Sequence, residues 1–122
     1  MVSSSDEQEL ELVKKAIALG KSTRGCCEWE DRASRRIRRS PPLEGFTPEG
    51  IRELLINHLH NHPDQVIQVR EKREEYPDRI FYYKVIVPVS EFVRGLFVEL
   101  ILVDQDPDFP SVLIVNAHEQ RS

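Results

Sequence analysis

Three runs near the C-terminal end constrain this chain more than anything else in it. They are Arg79–Val89 (R-I-F-Y-Y-K-V-I-V-P-V), Gly95–Val103 (G-L-F-V-E-L-I-L-V) and Ser111–His118 (S-V-L-I-V-N-A-H). Each is rich in aromatic and β-branched residues, and Pro, Gly and Asp clusters separate them, which is the pattern of consecutive antiparallel strands. An earlier run, 65–73, reads as a further strand. The expectation is an antiparallel meander over 65–73, 79–88, 95–103 and 111–118.

Residues two apart share a face of a strand. One predicted face carries Phe81, Tyr83, Val85 and Val87, then Leu96, Val98, Leu100 and Leu102, then Leu113, Val115 and Ala117. It is almost wholly apolar and is expected to pack against helices. Ile67 and Val69 join it from the first strand. The other face is mixed: Gln68, Arg70 and Lys72, then Tyr82, Lys84 and Ile86, then Phe97, Glu99, Ile101 and Val103, then Val112, Ile114, Asn116 and His118. Loop lengths suggest a register. Pairing Pro88 near Gly95 sets Lys84 opposite Glu99. Pairing Val103 near Val112 sets Glu99 opposite Asn116 and diagonal to His118, with Cβ atoms roughly 7–8 Å apart. Arg70 and His118 then lie on outer strands, about 14 Å from each other.

The preceding sequence reads as helices, over about 5–62. Ser5-Asp6-Glu7-Gln8 has the form of a capping box, and Gly20 stops the helix that follows. A second helix is expected from about Glu28 to Arg39, with Trp29, Ala33 and Ile37 inward and Arg32, Arg35, Arg36 and Arg39 along another side. Ser40-Pro41-Pro42 ends it. Thr47-Pro48 opens a third, capped by Thr47 and stapled by Phe46 onto Ile51, with Ile51, Leu54, Leu55 and Leu59 facing the core. The predicted fold is therefore α+β: N-terminal helices packed on one face of a four-stranded antiparallel sheet, in a single domain over 1–122.

Net charge is −4, which argues against a generic nucleic-acid binder. The charge is uneven, however. Lys21–Ser40 holds seven basic and three acidic residues, a net +4 that leaves −8 for the rest. The arginine side of the second helix thus has three readings: a solvated face, a phosphate-contacting face, or a dock for an acidic protein.

No apolar run approaches the roughly 20 residues of a membrane span, and no signal peptide is apparent at the start, so the expectation is a cytoplasmic protein without membrane contact. Adjacent Cys26 and Cys27 suit a reducing compartment, as free thiols with a possible regulatory role. His58, His60 and His62 cluster at the end of the third helix, and His58 and His62 have a metal-compatible spacing but no evident third ligand. Asp104, Asp106 and Asp108 lack the Gly and Glu of a calcium loop and read as a solvated turn. Glu71–Asp78 reads as a charged hairpin loop. No metal or other cofactor is expected.

Helices followed by a four-stranded antiparallel sheet that ends in a His resemble the small barnase-like and RelE-like ribonucleases, a group with many bacterial toxins. The resemblance rests on element order and on the polar residues of the sheet, and covers most of the chain. It implies metal-independent RNA cleavage with Glu99 as base, His118 as acid, Lys84 and Arg70 on the phosphate, and Tyr82 beside them. That chemistry needs a base, an acid and a cation. Residue by residue, Lys84 and Glu99 equally suit an ordinary cross-strand ion pair. The apolar members of the mixed face equally suit a covered interface, in a homodimer or in an adaptor that binds a protein partner.

Overall fold

The structure, a computed structural model, describes residues 4–120. Its core lies between one face of a twisted sheet and three helices: α1 (Ser4–Leu19), α2 (Asp31–Arg38) and α3 (Pro48–Asn61). The strands are β1 (Cys27–Trp29), β2 (Ile67–Arg70), β3 (Phe81–Val89), β4 (Phe92–Asp104) and β5 (Ser111–Glu119). Their order is β1-β5-β4-β3-β2. The fold is α+β, as the patterning implies, and β2 to β5 form the expected meander. The sheet is five-stranded and mixed rather than four-stranded and antiparallel, because β1 adds parallel to β5, pairing Cys27 with Val112 and Trp29 with Ile114.

That added strand corrects the second helix. Trp29 belongs to β1 and donates its indole N–H to the Pro48 carbonyl at 2.6 Å. The helix starts later, capped by the Glu30 carboxylate, which accepts from the Arg32 and Ala33 amides at 2.9 and 3.0 Å. Ala33 and Ile37 are its buried residues, as expected. In α3 the Thr47 hydroxyl accepts from the Gly50 amide at 2.9 Å, the predicted cap. Ile51, Leu55, Ile56 and Leu59 are buried there, whereas Leu54 is exposed. The Ser5 side chain, read above as the cap of α1, lies outside the described residues.

Buried Arg52 locks α3 to β1 and to the end of α1. Its Nε donates to the Cys27 carbonyl at 2.6 Å and its Nη2 to the Gly20 carbonyl at 2.5 Å. Gly20 is required there, since a Cβ would sit 2.5 Å from that of Cys27. Within β4, at the register shift opposite Val87–Val89, Gly95 takes φ +88, and a Cβ there would stand 2.9 Å from the Val87 carbonyl oxygen.

Register decides the two faces. Tyr83, Val85 and Val87 of β3 and Leu96, Val98 and Leu100 of β4 are buried under the helices, as expected. Two strands depart from expectation. In β5, Glu99 pairs with Asn116 but Leu100 pairs with Ile114, so Val115 is an extra residue. This β-bulge flips the alternation before it. Val112 and Ile114 are fully buried in the core, and Leu113 and Val115 lie half-buried on the other side. In β2, Gln68 pairs with Tyr83 and Arg70 with Phe81. Gln68 and Arg70 therefore lie on the helix side, and Val69 on the open side beside Tyr82. The Gln68 amide is satisfied there, donating to the Tyr83 hydroxyl at 3.1 Å and the Asp6 carbonyl at 2.9 Å.

Candidate functional site

The sheet face away from the helices gathers the polar residues. Lys84 pairs with Glu99 in register, and Glu99 with Asn116, so the three form one rung across β3, β4 and β5. His118 pairs with Phe97 on the next rung of that face. This is the expected ladder, and it sets Glu99 and His118 on a diagonal of adjacent strands, about 7–8 Å between Cβ atoms.

The site includes an arginine that sequence reading did not single out. The segment after β2 folds over the open face, closed by the Glu71 amide donating to the Ile80 carbonyl at 2.9 Å. Arg73, in that segment, donates from Nε and Nη2 to the two Glu71 carboxylate oxygens at 2.8 and 2.7 Å. The same Nη2 reaches a Glu99 oxygen at 2.7 Å. Its guanidinium lies 4.9 Å from the ring centres of both Tyr82 and Tyr76, and Arg79 stands 4.1 Å from the Tyr76 ring. A planar cation over aromatic rings gains from the ring quadrupoles. The Arg73 hydrogen bond is the main cause that drives the Glu71 carboxyl down to about 2, and the two carboxylates push the guanidinium pKa up.

Glu99 is only 5% exposed, beneath Arg73. Arg73 takes that carboxylate, and the Lys84 side chain forms no ion pair or hydrogen bond among the described residues, although it faces Glu99 across the ladder. His118 is exposed, and its ring stacks on Phe97 with centres 4.5 Å apart. Its Nδ1 is 2.8 Å from the Glu119 carbonyl oxygen. A carbonyl only accepts, so Nδ1 carries a proton and Nε2 remains available for proton exchange. The Asn116 side-chain oxygen accepts from the Ala117 amide at 3.0 Å. Arg70 does not join this group. Its guanidinium lies 5.7 Å from the Phe81 ring centre, on the helix side, as the β2 register dictates.

The arginines of α2 divide. Arg36 Nη2 donates to the Val115 carbonyl at 2.9 Å, tying the helix to the bulge of β5. Arg32, Arg35 and Arg39 form no ion pair among the described residues, and with Arg36 and Ser40 they line an open depression of about 560 Å³. The other motifs are accounted for locally. His58 Nε2 lies 2.6 Å from the Gln65 side-chain oxygen, and no group of three metal-ligating side chains occurs among the described residues. Cys26 and Cys27 are free and buried, and burial pushes the Cys27 thiol up to about 12, far from a reactive thiolate. No helix among the described residues is long and apolar enough to cross a membrane.

No protein-family model, curated protein or solved structure matches the chain.

Proposed function

We propose that the open sheet face is a general acid–base site that cleaves single-stranded RNA without a metal. The observation that carries this reading is the placement of Glu99 and His118 one diagonal apart on neighbouring strands, with the unpaired Lys84 directly across from Glu99. Glu99 takes the proton of the ribose 2′-hydroxyl. The 2′-oxygen bonds to phosphorus, the bond from phosphorus to the 5′-oxygen breaks, and His118 Nε2 protonates that leaving oxygen. The products are a 2′,3′-cyclic phosphate and a 5′-hydroxyl. Lys84 and Arg73 stabilise the charge on the phosphorane oxygens, the role for which a preorganised cation is worth most. Tyr82 holds the plane of Arg73. The free arginines of α2 hold flanking phosphates, since Arg36 anchors that helix to β5 next to Asn116. Two buried free cysteines fit a cytoplasmic setting.

A specific observation favours a second reading. Glu99 is nearly inaccessible beneath Arg73, and Ile67, Val103, Phe97 and Val115 leave apolar surface on the same face. A non-catalytic module that binds a protein or a second copy through this face would use both features. Incubation of the purified protein with a single-stranded RNA in a chelator separates the two. Cleavage with 2′,3′-cyclic ends supports the first reading. RNA left intact at high protein concentration removes it in favour of the second.

A further inference from the structure

Arg73 is held on three sides and open on the fourth. Its Nε and Nη2 are bound to Glu71 and Glu99, and two tyrosine rings cover its faces. Its Nη1 has no partner among the described residues, and the side chain is 40% exposed. An arginine fork with one free edge is suited to a tetrahedral oxyanion. Lys84, two residues beyond Tyr82 on the same face of β3, pairs in register with Glu99, which Arg73 contacts, and supplies a second free cation on that face. Val69, Arg70, Glu71, Lys72, Arg73 and Tyr82 line a depression of about 430 Å³ beside Arg73, and Lys84 lies outside its lining.

We infer that Arg73 and Lys84 form a binding site for one phosphodiester, and that phosphate binding there draws Arg73 off Glu99. The inference rests on the ribonuclease reading for its consequence, the unmasking of the base, but not for the binding itself. Glu99 is covered by the Arg73 Nη2 that Glu71 also shares, and a phosphate can take the same fork, so the base is exposed when a substrate phosphate draws that group away. Glu71 opposes this, because its two hydrogen bonds hold the guanidinium where it is. Substitutions of Glu71 and Arg73 must therefore act on phosphate binding with opposite signs. If Arg73 served only to pin the loop, both would loosen the loop and act with the same sign, and if it served only as one more positive charge, Arg73→Lys would bind as tightly as the wild type.

The test uses a single-stranded 2′-deoxy oligonucleotide, which carries the phosphates but lacks the hydroxyl needed for cleavage. Its affinity is measured by fluorescence anisotropy for the wild-type chain, Glu71→Gln and Arg73→Gln. The arginines of α2 are common to all three, so their share of the affinity cancels in the ratios. Arg73→Gln is expected to weaken binding about tenfold, the worth of a hydrogen-bonded charged group. Glu71→Gln is expected to tighten it. Circular dichroism melts identify which variants fold, and Arg73→Lys, which keeps the charge but loses the fork, carries the test if Arg73→Gln does not. Weakening by both substitutions, or no change with the Arg73 variant, overturns the inference. Failure to cut RNA with the two signs as stated removes the catalytic reading and leaves the phosphate site intact.

Discussion

Arg36 donates to the carbonyl of Val115 at 2.9 Å, and Val115 is the one residue of β5 without a partner in the ladder to β4. The charged side chain satisfies the backbone where the bulge interrupts pairing. Beyond Trp29, β1 no longer covers that edge of β5. Truncating Arg36 removes the donor and the cover together. Arg36→Ala is expected to lower the unfolding free energy by about 1–3 kcal/mol. Arg35→Ala, without such a partner, should stay within about 0.5 kcal/mol. Urea melts of the two variants check this, and equal losses would mean that Arg36 has no special role at the bulge.

The same division predicts RNA behaviour. If Arg32 and Arg35 contact phosphates, changing both to Gln should reduce the slope of log affinity against log salt by about 1.4, since each contact to a single strand contributes about 0.7. An unaltered slope would assign this side of α2 to solvent or to a protein partner.

Leu100 is fully buried between the helices and the sheet. Leu100→Ala should cost about 2–5 kcal/mol, as core truncations do. Glu99, the adjacent residue, points to the opposite face and is ion-paired with Arg73 at 2.7 Å. Glu99→Gln should cost less, about 1–3 kcal/mol, because a charged hydrogen bond is lost but the side-chain volume is kept. Denaturant midpoints would contradict this if the glutamate variant were the weaker of the two.

What the sequence made legible follows from where pairing is local. The Lys84–Glu99–Asn116 rung could be read from loop lengths because β3, β4 and β5 are joined by short turns and are strongly apolar on one face. β1 could not, because three residues, Cys27 to Trp29, carry no periodicity, and their partner lies more than 80 positions away. The bulge at Val115 has no Gly or Pro to mark it. Alternation places β2 on the wrong face because it is an edge strand. Ile67 remains 44% exposed, so apolarity does not choose its side, and Gln68 finds polar partners among the helices. That one-residue slip moves Arg70 into the expected site, while Arg73, outside β2, is legible only from its partners Glu99 and Tyr82 on other strands.

Glu71 links this cluster to acid stability. Its folded carboxyl titrates at about 2 rather than about 4.5. A depressed folded value means that its contribution is fully present above about 4.5 and is lost as pH falls toward about 2. The stability difference between wild type and Glu71→Gln should therefore shrink as pH is lowered through that window. Urea midpoints at pH 6, 4 and 2.5 would show it, and a difference that grows on acidification would contradict the assignment.

In the proposed site His118 and Glu99 act together on a phosphodiester, and of the two His118 is exposed near the end of β5 whereas Glu99 is buried. The decisive measurement is the rate of cleavage of a single-stranded RNA in a chelator, across pH, for wild type and His118→Ala. A bell-shaped profile is expected for the wild type, because one group must be ionised and the other protonated, and His118→Ala is expected to lose about 10²–10⁴ in rate with its melting temperature nearly unchanged. Cleavage by His118→Ala as fast as by the wild type would contradict it.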